Sequence, residues 1–427
     1  MPSSSLSPRY TRYALGILVV VYVFNFIDRS ILSILLESIK EEFQVSDTLL
    51  GLLSGPAFAI LYSVVGLPVA RWSDRGSRTT IISLAIFAWS GMTALQGLAA
   101  NFWHLMLARI GVGIGEAGCS PPAHSLISDY FPPTQRATAL SIYSFGIPIG
   151  GGLGFFFGGW LNEFFDWRTA FVVVGLPGVV LAAIVKLTLR EPRRGAFDPP
   201  DRANAPQPPV KEVLQLLKRM KSFRHLAIAA ALHSFYGYGA GAFIAAFFRR
   251  SYDMDPGELG TWLATIAVSA GVGGTFLGGF LSDRLGARDR RWYMWVPAIA
   301  TAIYIPFAFL IYLSPNPYLA LAIYFPGSVL SGMYLGPTFA MTQTLVPPSM
   351  RATAAAILLF IINMIGLALG PQGVGVVSDL LVPVFEVESL RYALLIVVVG
   401  FAAWSVVHYM LAARTLRADL EITNGAD

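Results

Sequence analysis

A chain of 427 residues that is 55% hydrophobic and only 13% charged carries about half the charge, roughly 25%, of a soluble globular protein. With a mean hydropathy of +0.62, its surplus apolar surface must face something other than water. The single cysteine, Cys119, rules out an intramolecular disulfide, and a scattered net charge of +5 makes no case for nucleic acid.

The first apolar run, 12–38, follows Arg9 and Arg12, and its Leu15–Ile27 stretch has the length of a signal peptide. It meets Asn25, Asp28 and Arg29 with no small-residue cleavage site, then continues apolar to Leu36, so a retained first span is expected. Further apolar stretches lie at 46–70, 79–100, 102–128, 138–161 and 168–189. After a break they resume at 224–248, 258–281, 292–313, 317–345, 352–378 and 390–413. A span needs about 20 apolar residues, so twelve transmembrane helices are predicted. The break is rich in proline and charge, which predicts a helical bundle over 1–190, a hydrated linker over 191–223 and a second bundle with its tail over 224–427. The linker ends in a short amphipathic helix, Val210–Met220.

Of the thirty lysines and arginines, 23 fall on one side of this topology and 5 on the other, with Arg29 and Arg109 inside spans. The positive-inside bias puts both termini in the cytoplasm of a plasma (inner) membrane protein. A repeat defines the architecture. PPTQRATA at 132–139 returns as PPSMRATA at 347–354, and SDR at 73–75 returns as SDRLG at 282–286. Both pairs lie in loops on the cytoplasmic side, so the halves share one orientation. The expected fold is an all-α integral membrane protein, two six-helix parallel repeats with a substrate site between them near the midplane.

The loop GGFLSDRLGARDRR (278–291) resembles the major facilitator loop signature through Gly279, Asp283, Arg284 and Gly286. Its counterpart ARWSDRGSR (70–78) departs from it, with Ala70 for the leading glycine and Ser77 for the later one. The resemblance implies a cytoplasmic gate of Asp74, Arg75, Arg78 and Arg136 in one half and Asp283, Arg284 and Arg351 in the other. Each Pro-Pro-x-x-Arg opens a helix, and a carboxylate near a helix N-terminus gains about 0.3–1 kcal/mol. Asp74 is expected at the start of span 11 and Asp283 at the start of span 5. The alternative reading is basic loops that only hold orientation. In span 5, Gly146, Gly150, Gly154 and Gly158 form one small-residue face, and Ala267, Gly271, Gly274 and Gly278 do so in span 8. Such faces let backbones approach closely.

Asp28, Arg29, Arg109 and Glu116 lie inside apolar spans, where each costs about 2.5–3.5 kcal/mol at the centre. Arg109 and Glu116 are two turns apart on one face of span 4, and Asn25, Asp28 and Arg29 sit together on span 1. Offset by the repeat, Arg109 falls at Tyr324 and Glu116 at Ser331, and the second half shows no acid or base deep in a span. A purely structural need for charge should appear in both halves, so its restriction to one points to function. The chemistry that fits is proton coupling: Asp28 and Glu116 carry the proton, while Arg109 and Arg29 hold an anionic group.

The segments NFIDR (25–29), RIGVGIGEAGCSPPAHSLISDYFPPTQR (109–136) and FGIPIGGGLGF (145–155) resemble the spinster branch of the major facilitators. The resemblance is strongest over 20–160. It implies the major facilitator fold, a monomer, and proton-linked movement of lysolipid-like amphiphiles such as lysophospholipids or sphingosine phosphate among membrane lipids. It also supports the roles given to Asp28, Arg109 and Glu116. Candidate cavity residues are Asn25, His233, Tyr236 and Tyr238, Tyr334 and Asn363; the alternative for each aromatic is packing or lipid contact. A general organic-anion or drug carrier remains open, since an arginine does not reveal the tail of its ligand. No metal-spaced His/Asp/Glu set, nucleophile–base motif or phosphate-cradling loop is present, so no cofactor, metal or enzymatic activity is expected. A channel would show rings of equivalent residues, which the one-sided charges oppose.

Overall fold

The computed structural model describes residues 6–195, 197 and 208–424; the rest of the expected linker, at 196 and 198–207, lies outside them. Nine helical stretches among the described residues are long and apolar enough to cross a membrane, and one of them, Pro348–Glu421, is long enough for two crossings. It reverses at Glu386, which takes a φ of 48°. The broken helix at 102–130 and the helix Lys221–Tyr252 supply the other two. In chain order the spans are 1 (Pro8–Phe43), 2 (Asp47–Arg75), 3 (Arg78–Gln96), 4 (102–130), 5 (Pro133–Phe164) and 6 (Trp167–Thr188). Spans 7 (Lys221–Tyr252), 8 (Pro256–Gly286), 9 (Trp292–Tyr312), 10 (Pro317–Thr344), 11 (351–385) and 12 (Ser389–Asn424) follow.

Local chemistry sets the ends. Ser7, Ser46, Ser77, Asn101, Asp166 and Asn316 cap the helices that follow them, each accepting from a backbone N–H of the first turn. Spans 1 and 7 both finish on a left-handed residue that is not glycine, Gln44 and Asp253, with φ of 51° and 54°. Each returns its N–H to the carbonyl four residues back, Lys40 and Arg249. The two repeats therefore share a local backbone detail.

By contact the chain separates into two compact units, and membership is not purely sequential. One comprises Met1–Val45, Ala57–Ala205 and Asp255–Ala264; the other comprises Ser46–Pro56, Pro206–Met254 and Thr265–Asp427. In the first unit the glycine face of span 5 lies on span 1. A Cβ at Gly146 would meet Tyr22, at Gly150 Val23 and Phe26, at Gly154 Ile27 and Ser30, and at Gly158 Ile31 and Ile34. The backbone bearing Asp28 and Arg29 is thus held against a surface with no side chains to yield. In the second unit Gly274 and Gly278 bring span 8 against Val329 and Met333 of span 10. A short amphipathic helix, Val210–Arg219, buries Val213 and Leu217 in a cluster with Met220, Phe223, Met341, Leu345 and Leu416.

Candidate functional site

Span 4 is broken just where its acid lies. The helix Phe102–Glu116 ends on Glu116, and a new helix starts at Ser120 ahead of Pro121 and Pro122. Glu116 therefore sits in the last turn, where the helix dipole disfavours a carboxylate. A cation compensates: Arg29 Nε donates to Glu116 Oε2 at 2.6 Å, with the Glu116 side chain buried and that of Arg29 19% exposed. The guanidinium is also packed among Phe26, Phe58 and Tyr62, at 5.0, 4.9 and 4.9 Å from the ring centroids. Arg109 is more deeply enclosed, at 3% exposure, and also lies 4.9 Å from the Phe58 ring centroid. It donates from Nη1 to the main-chain carbonyl of Asp28 at 3.1 Å.

The first unit thus brings Asn25, Asp28, Arg29, Arg109 and Glu116 together. It pairs Glu116 with Arg29 across two helices rather than with Arg109 along one. Neither carboxyl oxygen of Asp28, nor either amide atom of Asn25, has a hydrogen-bond partner among the described residues. Thr93 and Trp89 of span 3 flank the Asp28 carboxyl. Phe58 and Tyr62, stacked at 5.4 Å, belong to this site but carry no sequence signal beyond being aromatic.

The second unit joins its corresponding spans through neutral groups. Ser331, the repeat counterpart of Glu116, offers its main-chain carbonyl to His233 Nε2 of span 7 at 2.9 Å. The Tyr236 hydroxyl lies 3.0 Å from His233, Thr301 Oγ1 lies 3.2 Å from His233 Nδ1, and the Tyr334 ring stacks on His233 at 3.8 Å. Tyr334 in turn shares a hydrogen bond with Ser234 at 3.0 Å. His233, Tyr236 and Tyr334 are therefore brought together, His233 bonded to the Tyr236 hydroxyl and stacked on the Tyr334 ring. Tyr238 is 41% exposed. Asn363 is half-buried in a π-helical turn, Ile362–Ala368, whose Gly366 packs on Ser234; such turns recur at functional sites.

The loop residues divide. Asp74, Arg75, Asp283, Arg284 and Arg351 are exposed. Asp283 accepts from the Tyr293 hydroxyl at 2.6 Å, and Arg284 lies over the Phe280 ring. Arg136 and Arg351 make the same local bond, each donating from Nε to the carbonyl eight residues earlier, Ser128 at 2.9 Å and Gln343 at 3.2 Å. Arg78, by contrast, is buried. It donates to Glu191 at 2.6 Å, to Ser125 at 2.8 Å, to Asp129 and to the Pro192 carbonyl at 3.2 Å. Arg194 adds bonds to the carbonyls of Ser73 and Gly76 at 2.7 and 2.6 Å. Asp129 and Glu191 were not among the expected gate residues. Asp129 stands two residues before the Phe-Pro-Pro turn, a usable signal; Glu191 lies 113 residues from Arg78 and offers none.

The second unit also holds a buried charge pair, at helix ends and not deep in a span: Asp47 opens span 2 and Arg250 stands in the last turn of span 7. Arg250 forks onto Asp47 at 2.6 and 2.7 Å, the Ser378 hydroxyl donates to Asp47 at 2.6 Å, and Asp47 is fully buried. Asp379 caps the same turn, accepting from the N–H groups of Asp47 and Thr48 at 3.0 and 2.8 Å. Nothing in the sequence signals this pair, because an arginine at a helix end looks the same whether it meets solvent or a partner far along the chain.

Among the described residues no group of three or more His, Cys, Asp or Glu is placed to hold a metal. Residues 18–371 match the model of the Major Facilitator Superfamily. An MFS-type efflux pump of Mycolicibacterium smegmatis is 34% identical over 97% of this chain and 95% of its own. The sphingosine-1-phosphate transporter SPNS2 of Xenopus tropicalis is 29% identical over 90% of this chain and 78% of its own. A crystal structure of a bacterial homolog of the human lysosomal transporter spinster, inward-facing and unoccupied, superposes with a TM-score of 0.87 at 33% identity, covering 97% of this chain and 99% of that one. The chain belongs to the Major Facilitator Superfamily and is a transporter of its spinster branch.

Proposed function

We propose that this transporter moves amphiphilic anionic lipids of the lysophospholipid or sphingosine-phosphate kind, coupled to protons, by alternating access. It does so as a monomer in the plasma membrane, with both termini cytoplasmic. The observation that carries the reading is the Arg29–Glu116 pair beside an Asp28 carboxyl that has no hydrogen-bond partner among the described residues. A phosphate or carboxylate headgroup competes with Glu116 for the same guanidinium, because bidentate anion recognition is what arginine does best. When the headgroup takes Arg29, the released Glu116 carboxylate is left buried at a helix C-terminus, with the Asp28 carboxyl nearby, and takes up one proton. When the headgroup leaves, Glu116 returns the proton and re-pairs. Arg29 is the reachable cation and Arg109 the enclosed one, so Arg29 meets the headgroup and Arg109 fixes the Asp28 backbone. Phe26, Phe58 and Tyr62 around Arg29 supply an apolar rim for a lipid tail. The polar loop residues Asp74, Arg75, Arg78, Arg136, Asp283, Arg284 and Arg351 serve the cytoplasmic gate, with Arg78 as its buried anchor in the first unit. His233, Tyr236, Tyr334, Asn25 and Asn363 complete the binding residues.

The test is uptake of a fluorescent lysophospholipid into proteoliposomes under an imposed pH gradient. Parental protein should respond to the gradient and Glu116→Gln should not; a gradient response retained by Glu116→Gln contradicts the assignment. The relative named an efflux pump favours a second reading, a general organic-anion or drug carrier. Competition separates them: a short-chain organic anion that displaces the lysolipid at equal concentration supports the carrier, and displacement only by long-chain amphiphiles supports the lipid transporter.

A further inference from the structure

Span 3 carries a polar stripe inside the first unit that neither the fold nor the Arg29–Glu116 exchange uses. Trp89, Thr93 and Gln96 recur at four and three residues, so they share one helix face over two turns, about 10 Å of rise. All three are fully buried. Trp89 Nε1, Thr93 Oγ1 and both amide atoms of Gln96 have no hydrogen-bond partner among the described residues. The stripe begins at Asp28, whose carboxyl lies beside Thr93 and Trp89 and is itself unpartnered, and it ends at the last residue of the span. Buried polar atoms are normally satisfied by protein or by ordered water. A file of unsatisfied groups that starts on a buried acid and ends at a helix terminus has the composition of a hydrated path.

We propose that water fills this stripe and that it conducts protons between Asp28 and the end of span 3 at Gln96, the end remote from the Arg78 loop. The inference rests on the reading of Asp28 as a proton carrier. It separates the two ligands: the lipid meets Arg29, while the proton reaches Asp28 through the interior of the first unit. The charged groups facing Asp28 are Glu116 and Arg109, both from span 4, and span 3 contributes only neutral groups. An oxygen-rich cluster also suits a sodium ion, but the Arg109 cation beside Asp28 opposes one, so a hydrogen-bonded water file is the better occupant.

The experiment compares Thr93→Val, Gln96→Leu and Gln96→Glu with the parental protein and Asp28→Asn. It follows internal pH with a trapped dye in proteoliposomes, together with lysophospholipid exchange at equal pH on both sides. Thr93→Val and Gln96→Leu should slow gradient-driven proton entry by about tenfold, one decade of rate, while exchange at equal pH stays parental. Gln96→Glu, which keeps a polar station, should retain entry and shows that loss in Gln96→Leu is not misfolding. Parental proton entry in both apolar variants overturns the file when Asp28→Asn has lost entry. Parental entry in Asp28→Asn instead overturns the carrier reading on which the file rests. Uptake that requires sodium and ignores the pH gradient also overturns it, in favour of a cation site.

Discussion

Arg29 and Glu116 meet at 2.6 Å across spans 1 and 4, whereas spans 7 and 10 are joined through neutral groups, His233 to the Ser331 main-chain carbonyl at 2.9 Å. Packing of the second pair of spans needs no charge, so the charge between the first pair serves something besides packing. Removing one member of a buried pair is costly, about 3–5 kcal/mol, because the other charge is left uncompensated. Arg29→Ala should therefore lower the unfolding temperature in detergent, and Arg29→Ala/Glu116→Gln should recover most of the loss. Equal melting of the single and double variants would show that the pair is not coupled.

The glycine face of span 5 makes a graded prediction. A Cβ at Gly154 would stand 2.8 Å from the Ile27 carbonyl oxygen and 2.9 Å from Ser30, whereas at Gly151 the nearest atom is Ser30 Oγ at 3.5 Å. Overpacking a tight interface costs about 1–3 kcal/mol. Gly154→Ala should destabilise and, by displacing span 1, impair lipid-driven proton uptake; Gly151→Ala should do neither. Thermal unfolding and the proteoliposome assay, run on the two side by side, check this.

In the second unit, the Asp47–Arg250 pair with Ser378 and Asp379 holds the segment Ser46–Pro56. Arg250→Gln should cost about 3–5 kcal/mol by removing the guanidinium that forks onto the buried Asp47 carboxylate. The double change Asp47→Asn/Arg250→Gln should cost less than Arg250→Gln alone. A double variant as unstable as the single one contradicts this. Hydrogen exchange of the Asp47 and Thr48 amides, bonded to Asp379, gives a local readout of the same break.

The loop after span 8 makes a pH prediction. Hydrogen bonds from Arg291, and then from Arg417, hold the Asp289 carboxyl below the usual aspartate range. A group depressed in the folded state contributes stability above its unfolded value, about 3.9, and loses it as pH falls through the lower folded value. The clasp should therefore be intact at every pH above about 4 and loosen only below it. Amide exchange at Arg291, whose N–H donates to Asp289, should be flat from pH 5 to 8 after correction for intrinsic rates, on the order of the window that an unperturbed aspartate also spans. Asp289→Asn should raise it throughout.

The count of spans and the repeat were legible because lipid imposes length and composition on every span, and the repeated Pro-Pro-x-x-Arg carries through to matching bonds from Arg136 and Arg351. The members of the charged site were legible too, since a charge in an apolar run is visible without any structure. Their pairing was not. Arg109 and Glu116 share a face by spacing, but which facing residue reaches Glu116 depends on how span 1 is set against span 4, and the glycines of span 5 govern that. Asp47 with Arg250, and Arg78 with Glu191, join residues 203 and 113 positions apart, beyond any local pattern.

The central claim is that an anionic headgroup displaces Glu116 from Arg29 and that Glu116 then takes a proton. The most direct measurement is proton uptake on adding a lysophospholipid to purified protein in weakly buffered detergent solution, read by a pH dye. Parental protein should take up protons on lipid addition, and Glu116→Gln should bind the lipid with no uptake. Proton uptake by Glu116→Gln equal to that of the parental protein contradicts the account.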